Sequence, residues 1–130
     1  MKLLLMVTAV FEGATGIALL VAPSIAVSTL LGAELDTPGG LVVGRIAGAA
    51  LAALAIASWQ ARNGERHGIA AGVVAAMFVY NLAAAMIVAY AAVGFGLQSP
   101  LMWPVVFAHN VMAAWCAAIL WLQRTPLDGG

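Results

Sequence analysis

Charged residues are scarce in this chain: five Lys or Arg and five Asp or Glu stand among 130 residues, while 65% of the residues are hydrophobic. Soluble domains carry roughly 25% charged residues. The composition therefore excludes an ordinary water-soluble globule and favours a chain that lies in a lipid bilayer. The sequence contains no cluster of basic residues and its formal net charge is zero. Nucleic acid is excluded as a partner, because phosphate recognition depends on Lys and Arg.

Cysteine and catalytic motifs are also nearly absent. Cys116 is the only cysteine, which excludes an internal disulfide and a multi-cysteine metal or iron–sulfur centre. The sequence has no Gly-rich phosphate loop, no G-x-S-x-G, no C-x-x-C and no H-E-x-x-H. These motifs are typical of nucleotide, hydrolase, redox and zinc sites. We therefore expect a non-catalytic protein without a metal centre or a resident cofactor.

Long apolar runs dominate what is present. Four of them lie near 3–22, 40–60, 69–93 and 101–123, and each has the roughly 20 residues that a helix needs to cross a hydrocarbon core. Lipid offers no hydrogen-bond partner to the backbone, so each run is predicted to be helical. Residues 1–130 are predicted to form a single all-α domain, an integral membrane antiparallel four-helix bundle.

The first connection is longer than a tight turn. Residues 24–35 place apolar side chains among small polar ones, as in a helical segment that lies at the membrane interface. The stretch DTPGG then predicts the start of the second long helix, with Asp36 or Thr37 as the N-cap and Pro38 in the first turn.

Basic residues near the ends of the runs indicate the orientation. Lys2 precedes the first run, Arg62, Arg66 and His67 follow the second, and Arg124 follows the fourth. The connections at the opposite ends contain no Lys or Arg. By the positive-inside rule, both termini are predicted to lie in the cytoplasm.

Glycine recurs every four residues in the second run. Gly40, Gly44 and Gly48 form a smooth stripe that lets another helix approach backbone to backbone. The stripe predicts either a contact inside the bundle or the seam of a homodimer.

Each run also contains one strongly polar side chain at a similar depth. Glu12 lies within VFEGATG, Arg45 in the second run, Asn81 in the third and His109 in the fourth. Thr15 shares a helix face with Glu12. Because charges are costly inside a membrane, we predict that Glu12 and Arg45 pair and that the five residues form one polar cluster. The cluster would either organise the bundle or bind a small polar or quinone-like ligand.

His109 admits several roles. It would serve as a polar packing residue or relay a proton beside Glu12. With Met112 and Cys116 on the same helix face it would also form a soft set of ligands suited to Cu(I).

The order of the runs is also informative. LLVAPS, LVVGRIAGAAL, YNLAAAMI and LMWPVVFAHNVMAA together resemble the small four-helix bacterial membrane proteins of the DoxX-like kind. The resemblance covers nearly the whole chain, and its main motif is Arg45 with Gly48 three residues later. It implies a bundle in the bacterial inner membrane, and some relatives are associated with membrane redox enzymes. It implies no catalytic residue.

Glu12 in the first run is also similar to the glutamate of small multidrug-resistance transporters, where a proton and a cationic substrate compete for the carboxylate. The chain departs from those transporters by having Arg45 and His109, by lacking a W-x-G-x-G-like stretch in the third run, and by its longer first connection.

The function predicted from these features is that of a non-catalytic binding or accessory subunit. Its partners would be the lipid bilayer and either a second copy or a larger membrane complex. The alternatives are a proton-coupled small-molecule transporter that uses Glu12, and an accessory subunit of a membrane redox enzyme with a quinone near His109.

Overall fold

The computed structural model describes residues 1–63 and 67–124, and over these ranges the protein is all-α without a strand. The five helices in these ranges are α1 (Lys2–Val21), α2 (Pro23–Leu31), α3 (Pro38–Ala61), α4 (His67–Gly94) and α5 (Met102–Arg124). All except α2 are long and apolar enough to cross a membrane, judged by length and composition. The prediction of four long apolar helices is therefore confirmed. Arg66, used to predict the orientation, lies outside the described residues, as do the side chains of His67 and Arg124.

The predicted segment 24–35 is helical only in its first part. Helix α2 begins at Pro23, whose missing N–H costs nothing in a first turn. It ends at Gly32, which adopts a left-handed conformation with φ of 66° and is the usual residue type for that position. The chain from 33 to 36 is not helical.

The predicted start of the second long helix is confirmed. Thr37 is the N-cap of α3, and its Oγ1 accepts a hydrogen bond of 3.0 Å from the backbone N–H of Gly40. Pro38 occupies the first turn. Capping satisfies one of the helix's free N–H groups, so the local sequence defines where α3 begins.

The glycine stripe packs inside the chain. Helices α1 and α3 pack together along their lengths. A Cβ atom added to Gly48 would stand 2.8 Å from the carbonyl oxygen of Gly16 and 2.9 Å from the Cβ of Leu19. Only glycine at Gly16 and Gly48 permits this approach of the two backbones.

The other end of the stripe is covered by the first connection. A Cβ at Gly44 would stand 3.0 Å from Leu35 and 3.1 Å from Pro23, and one at Gly40 would stand 2.9 Å from Leu35. The stripe therefore faces its own chain, which favours the intramolecular contact over a homodimer seam.

Helices α4 and α5 form the second closely packed pair. The two pairs join near the first residues of α1, in a core cluster that contains residues from all four long helices. Its buried members are Leu4, Leu5, Ala61, Ala70, Val74, Met77 and Cys116. Farther along α1, the space between the pairs opens into a cavity.

Hydrogen bonds connect the segments at the opposite end of the helices. Ser24 Oγ donates to the carbonyl oxygen of Leu35 at 2.9 Å, and Ser99 Oγ donates to that of Thr29 at 2.6 Å. These bonds hold α2 against both connections, and α2 also contributes a residue to the cavity wall.

Candidate functional site

A cavity of about 440 Å³ lies between α1, α4 and α5. Its size falls within the range of small-molecule binding sites. The wall residues are Val7, Thr8, Phe11, Glu12, Thr15, Leu30, Tyr80, Asn81, Val105, Phe107, Ala108, His109, Val111, Met112 and Trp115. The structure thus brings four of the five predicted cluster residues, Glu12, Thr15, Asn81 and His109, to one cavity.

Helix α1 supplies one polar wall. Thr8, Glu12 and Thr15 are spaced by four and three residues, so helical geometry puts them on one face. Only 6% of the Glu12 surface is exposed. The Thr8 side chain is 1% exposed, and its Oγ1 has no hydrogen-bond partner. An unpaired buried hydroxyl is costly, and the protein leaves this one, beneath the cavity surface, without a partner.

Tyr80 on α4 is the polar neighbour of Glu12. Its hydroxyl lies beside the Glu12 carboxylate, and the two groups interact electrostatically. Tyr80 was not among the residues predicted for the cluster. The available signal was its position in the middle of a long apolar run, since tyrosines in membrane proteins are enriched at the interfaces instead.

Asn81 connects α4 to α5. Its Nδ2 donates to the carbonyl oxygen of Met77 at 2.7 Å, and its Oδ1 lies 2.8 Å from Nδ1 of His109. The ring of His109 also meets the ring of Tyr80 edge to face, with 5.8 Å between the ring centroids. Glu12, Tyr80, Asn81 and His109 therefore form one continuous polar wall.

Arg45 does not belong to this wall, so the predicted Glu12–Arg45 pair is wrong. The Arg45 side chain is exposed, and its Nε donates to the carbonyl oxygen of Leu20 at 3.4 Å. Among the side chains that the structure describes, no basic group lies within 4.0 Å of the Glu12 carboxylate. Leu20 is among the last four residues of α1, whose carbonyl groups lack partners within the helix. Arg45 satisfies one of these groups and adds a positive charge where the helix dipole is negative.

The opposite wall of the cavity is apolar and rich in aromatic rings. It includes Phe11 of α1 and Phe107, Val111, Met112 and Trp115 of α5. A cavity with one polar and one aromatic wall suits a ligand that has a polar end and an apolar body.

The three residues considered for copper are not brought together at the cavity. His109 and Met112 line it, whereas Cys116 is 0% exposed and packs in the core cluster. In the part of the chain that the structure describes, no group of three or more His, Cys, Asp and Glu side chains is arranged to hold a metal ion.

Comparisons with protein-family models, with curated proteins and with solved structures find no match to this chain. The resemblance to DoxX-like proteins therefore stays a prediction.

Proposed function

We propose that this protein is an integral membrane protein that binds a small amphiphilic ligand in the cavity between α1, α4 and α5, as a non-catalytic binding or accessory subunit. The four long apolar helices support the membrane setting. So do large apolar side chains exposed on every long helix, such as Val10, Val43, Ile87 and Trp121. An apolar exterior of this extent is unfavourable in water and favourable in lipid.

The proposed topology is an antiparallel bundle with both termini in the cytoplasm. Two contacts support it: Gln123 Nε2 donates to Met1 Sδ at 3.2 Å, and the core cluster joins Leu5 to Ala61. Lys2 and Arg62 would then face the cytoplasm at the same end. With the DoxX-like resemblance, this suggests the bacterial inner membrane.

The main support for the proposed function is that the cavity has a polar wall opposite an aromatic wall. The polar wall consists of Glu12, Tyr80, Asn81 and His109. If the polar residues served only to organise the bundle, they would be expected to satisfy one another and exclude space. Instead they border about 440 Å³, and the nearby hydroxyl of Thr8 has no hydrogen-bond partner. Natural cavities of this size with converging polar groups are typical of binding sites.

A cavity-filling variant tests the proposal. Ala108 and Ala114 are both exposed on α5, but only Ala108 lines the cavity. Ala108→Phe should weaken the binding of phenylbutylamine, a small amphiphile, by at least about tenfold, because the added ring takes up the ligand's space. Ala114→Phe should leave binding unchanged. Equal affinities of the wild-type protein and both variants in nanodiscs would reject the cavity as the binding site.

A second candidate function is proton-coupled transport through Glu12. The observation that favours it is the lack of a basic partner for Glu12 among the described residues, since an unpaired carboxylate is available to a cation or a proton. The similarity to small multidrug-resistance transporters points the same way. In proteoliposomes with a pH gradient, the wild-type protein should then accumulate a lipophilic cation and Glu12→Gln should not. Uptake that is equal in both would exclude this candidate.

A further inference from the structure

We propose that the polar wall selects ligands by their hydrogen-bond donors. Nε2 of His109 and the Glu12 carboxylate accept hydrogen bonds from the N–H or O–H groups of the ligand. The ligand is therefore an amine or an alcohol with an aromatic or alkyl body. This inference rests on the proposed binding function and names its ligand class. Inside the protein the donors of the wall are largely used, whereas its acceptors are largely free.

The orientation of the Asn81 amide determines the protonation of His109. A backbone carbonyl only accepts hydrogen bonds, so the Asn81 atom that contacts the carbonyl of Met77 is the Nδ2 donor. Oδ1 therefore faces His109, and the imidazole Nδ1, 2.8 Å away, must carry a hydrogen to donate to it. In neutral His109 the remaining nitrogen, Nε2, is then an acceptor without a partner in the described residues.

Glu12 provides the second acceptor. When ionised, a carboxylate has two oxygens with about four lone pairs, and the side-chain donor beside that of Glu12 is the hydroxyl of Tyr80. Arg45, the basic residue expected nearby, bonds to Leu20 instead. Most of the acceptor capacity of Glu12 is therefore left for a ligand.

The donors of the wall, by contrast, are largely used inside the protein. Asn81 donates to Met77 and His109 Nδ1 donates to Asn81, while the Tyr80 hydroxyl lies beside Glu12. The hydroxyls of Thr8 and Thr15 can both donate and accept, and Thr8 Oγ1 is buried without a partner. A ligand with only acceptor atoms, such as a quinone, would place its carbonyl oxygens against two other acceptors, Nε2 and a carboxylate, and could form no hydrogen bond with them. A ligand with N–H or O–H groups would donate to both acceptors.

Two pairs of ligands separate hydrogen bonding from charge and from the apolar body. Phenylbutylamine and phenylbutyl-trimethylammonium share a charge and a body, but only the first has N–H groups. Phenylbutanol and phenylbutanone are both neutral, and only the first has an O–H group. Affinities are measured by calorimetry on the full chain in nanodiscs, after subtraction of partitioning into protein-free nanodiscs. The donor of each pair should bind roughly tenfold tighter, the ratio expected for a buried hydrogen bond.

His109→Asn is the matched variant. Asparagine keeps an N–H donor near the position of Nδ1, toward Asn81, but has no atom at the position of Nε2. The variant should therefore fold and still bind the ligands, while the preference for donors falls to about threefold or less. A preference that is unchanged in His109→Asn would overturn the role of Nε2.

The outcomes separate this inference from the proposed function. If none of the four compounds binds, the proposed function fails and this inference fails with it. If the compounds bind with equal affinity within each pair, the cavity remains a binding site and only donor selection is overturned.

The state of His109 is also measurable without a ligand. Nitrogen NMR of protein with isotope-labelled histidine distinguishes the two neutral forms of the ring, and His67→Gln leaves His109 as the only labelled residue. The spectrum should show hydrogen on Nδ1, and phenylbutylamine should shift the Nε2 signal. Hydrogen on Nε2 in the neutral ring would contradict the inference directly.

Discussion

The imidazole Nδ1 of His109 lies 2.8 Å from Oδ1 of Asn81, and this bond joins α5 to α4 beside the cavity. Asn81 is almost fully buried and also donates to the carbonyl of Met77. It is therefore the residue through which the polar wall is tied to the packing of the helices.

Asn81→Leu should destabilise the protein, because the change removes a donor and an acceptor and leaves His109 Nδ1 without its partner. A cost of about 1–3 kcal/mol is expected in the free energy of unfolding, measured in detergent micelles. Asn110→Leu is the control: Asn110 also bonds to a backbone carbonyl, that of Val106, but is exposed. If the two variants lose equal stability, the buried bond to His109 contributes no more to the free energy of unfolding than the exposed bond of Asn110.

Gly48→Ala should loosen the α1–α3 pair. The added Cβ would meet backbone atoms of Gly16 and Leu20 at 2.8 and 2.9 Å, and backbone atoms cannot move aside as a side chain can. We expect a loss of about 1–3 kcal/mol in the free energy of unfolding, as for other overpacked sites.

The matched control for that substitution is Gly72→Ala in α4. A Cβ at Gly72 would meet nothing within 4 Å, so this change should be neutral or stabilise the helix by up to about 1 kcal/mol. Thermal unfolding of the two variants side by side checks both expectations. Equal effects would show that the close contact with Gly16 is not needed for the pair.

Glu12 and Arg45 should act independently. Arg45→Met removes the bond to the Leu20 carbonyl and should cost about 0.5–1.5 kcal/mol. Because Arg45 does not touch Glu12, the effect of Glu12→Gln should add to it within about 0.5 kcal/mol. The measurement is a double-mutant cycle on unfolding. A coupling energy well above 1 kcal/mol would restore the ion pair that the sequence suggested.

Thr8→Val should weaken ligand binding without lowering the stability of the protein. The change replaces an unpartnered buried hydroxyl with a methyl group of similar volume, so the free energy of unfolding should stay equal or rise by about 1 kcal/mol. Affinity for phenylbutylamine should fall roughly three- to tenfold if the hydroxyl serves the ligand.

Ser58→Ala provides the comparison for Thr8. Ser58 Oγ is also buried and without a partner, but Ser58 does not line the cavity. Its replacement should affect stability in the same direction and leave affinity unchanged. Binding that is equally weakened in both variants would mean that Thr8 acts through the fold.

Much of the fold could be predicted because its determinants are local. Hydrophobic run length predicts four long helices, and the pattern of Thr37 followed by Pro38 predicts where α3 begins, since capping involves atoms three residues apart. The glycine stripe likewise predicts a close helix contact. It does not by itself identify the partner, because a neighbouring helix and a second copy require the same smooth surface; Gly16 on α1 provides that partner here.

The site could be predicted only in part. Depth along a helix follows from residue number, and it correctly suggested that Glu12, Asn81 and His109 lie at one level. The direction in which a side chain points around the bundle depends on how the helices pack, which one sequence does not determine. For that reason Arg45 was expected at Glu12 but satisfies the free carbonyl of Leu20, and Tyr80 was missed although it is next to Asn81 in the chain.

Photo-crosslinking tests the central claim, that the cavity between α1, α4 and α5 binds an amphiphile, most directly. Phenylbutylamine carrying a diazirine on its ring is irradiated with the protein in nanodiscs, and the modified residues are identified by mass spectrometry. We expect adducts on Phe11, Val111, Met112 or Trp115, which unlabelled phenylbutylamine suppresses. Adducts confined to exposed residues that do not line the cavity, such as Val21, Val93 and Trp121, and insensitive to the competitor, would contradict it.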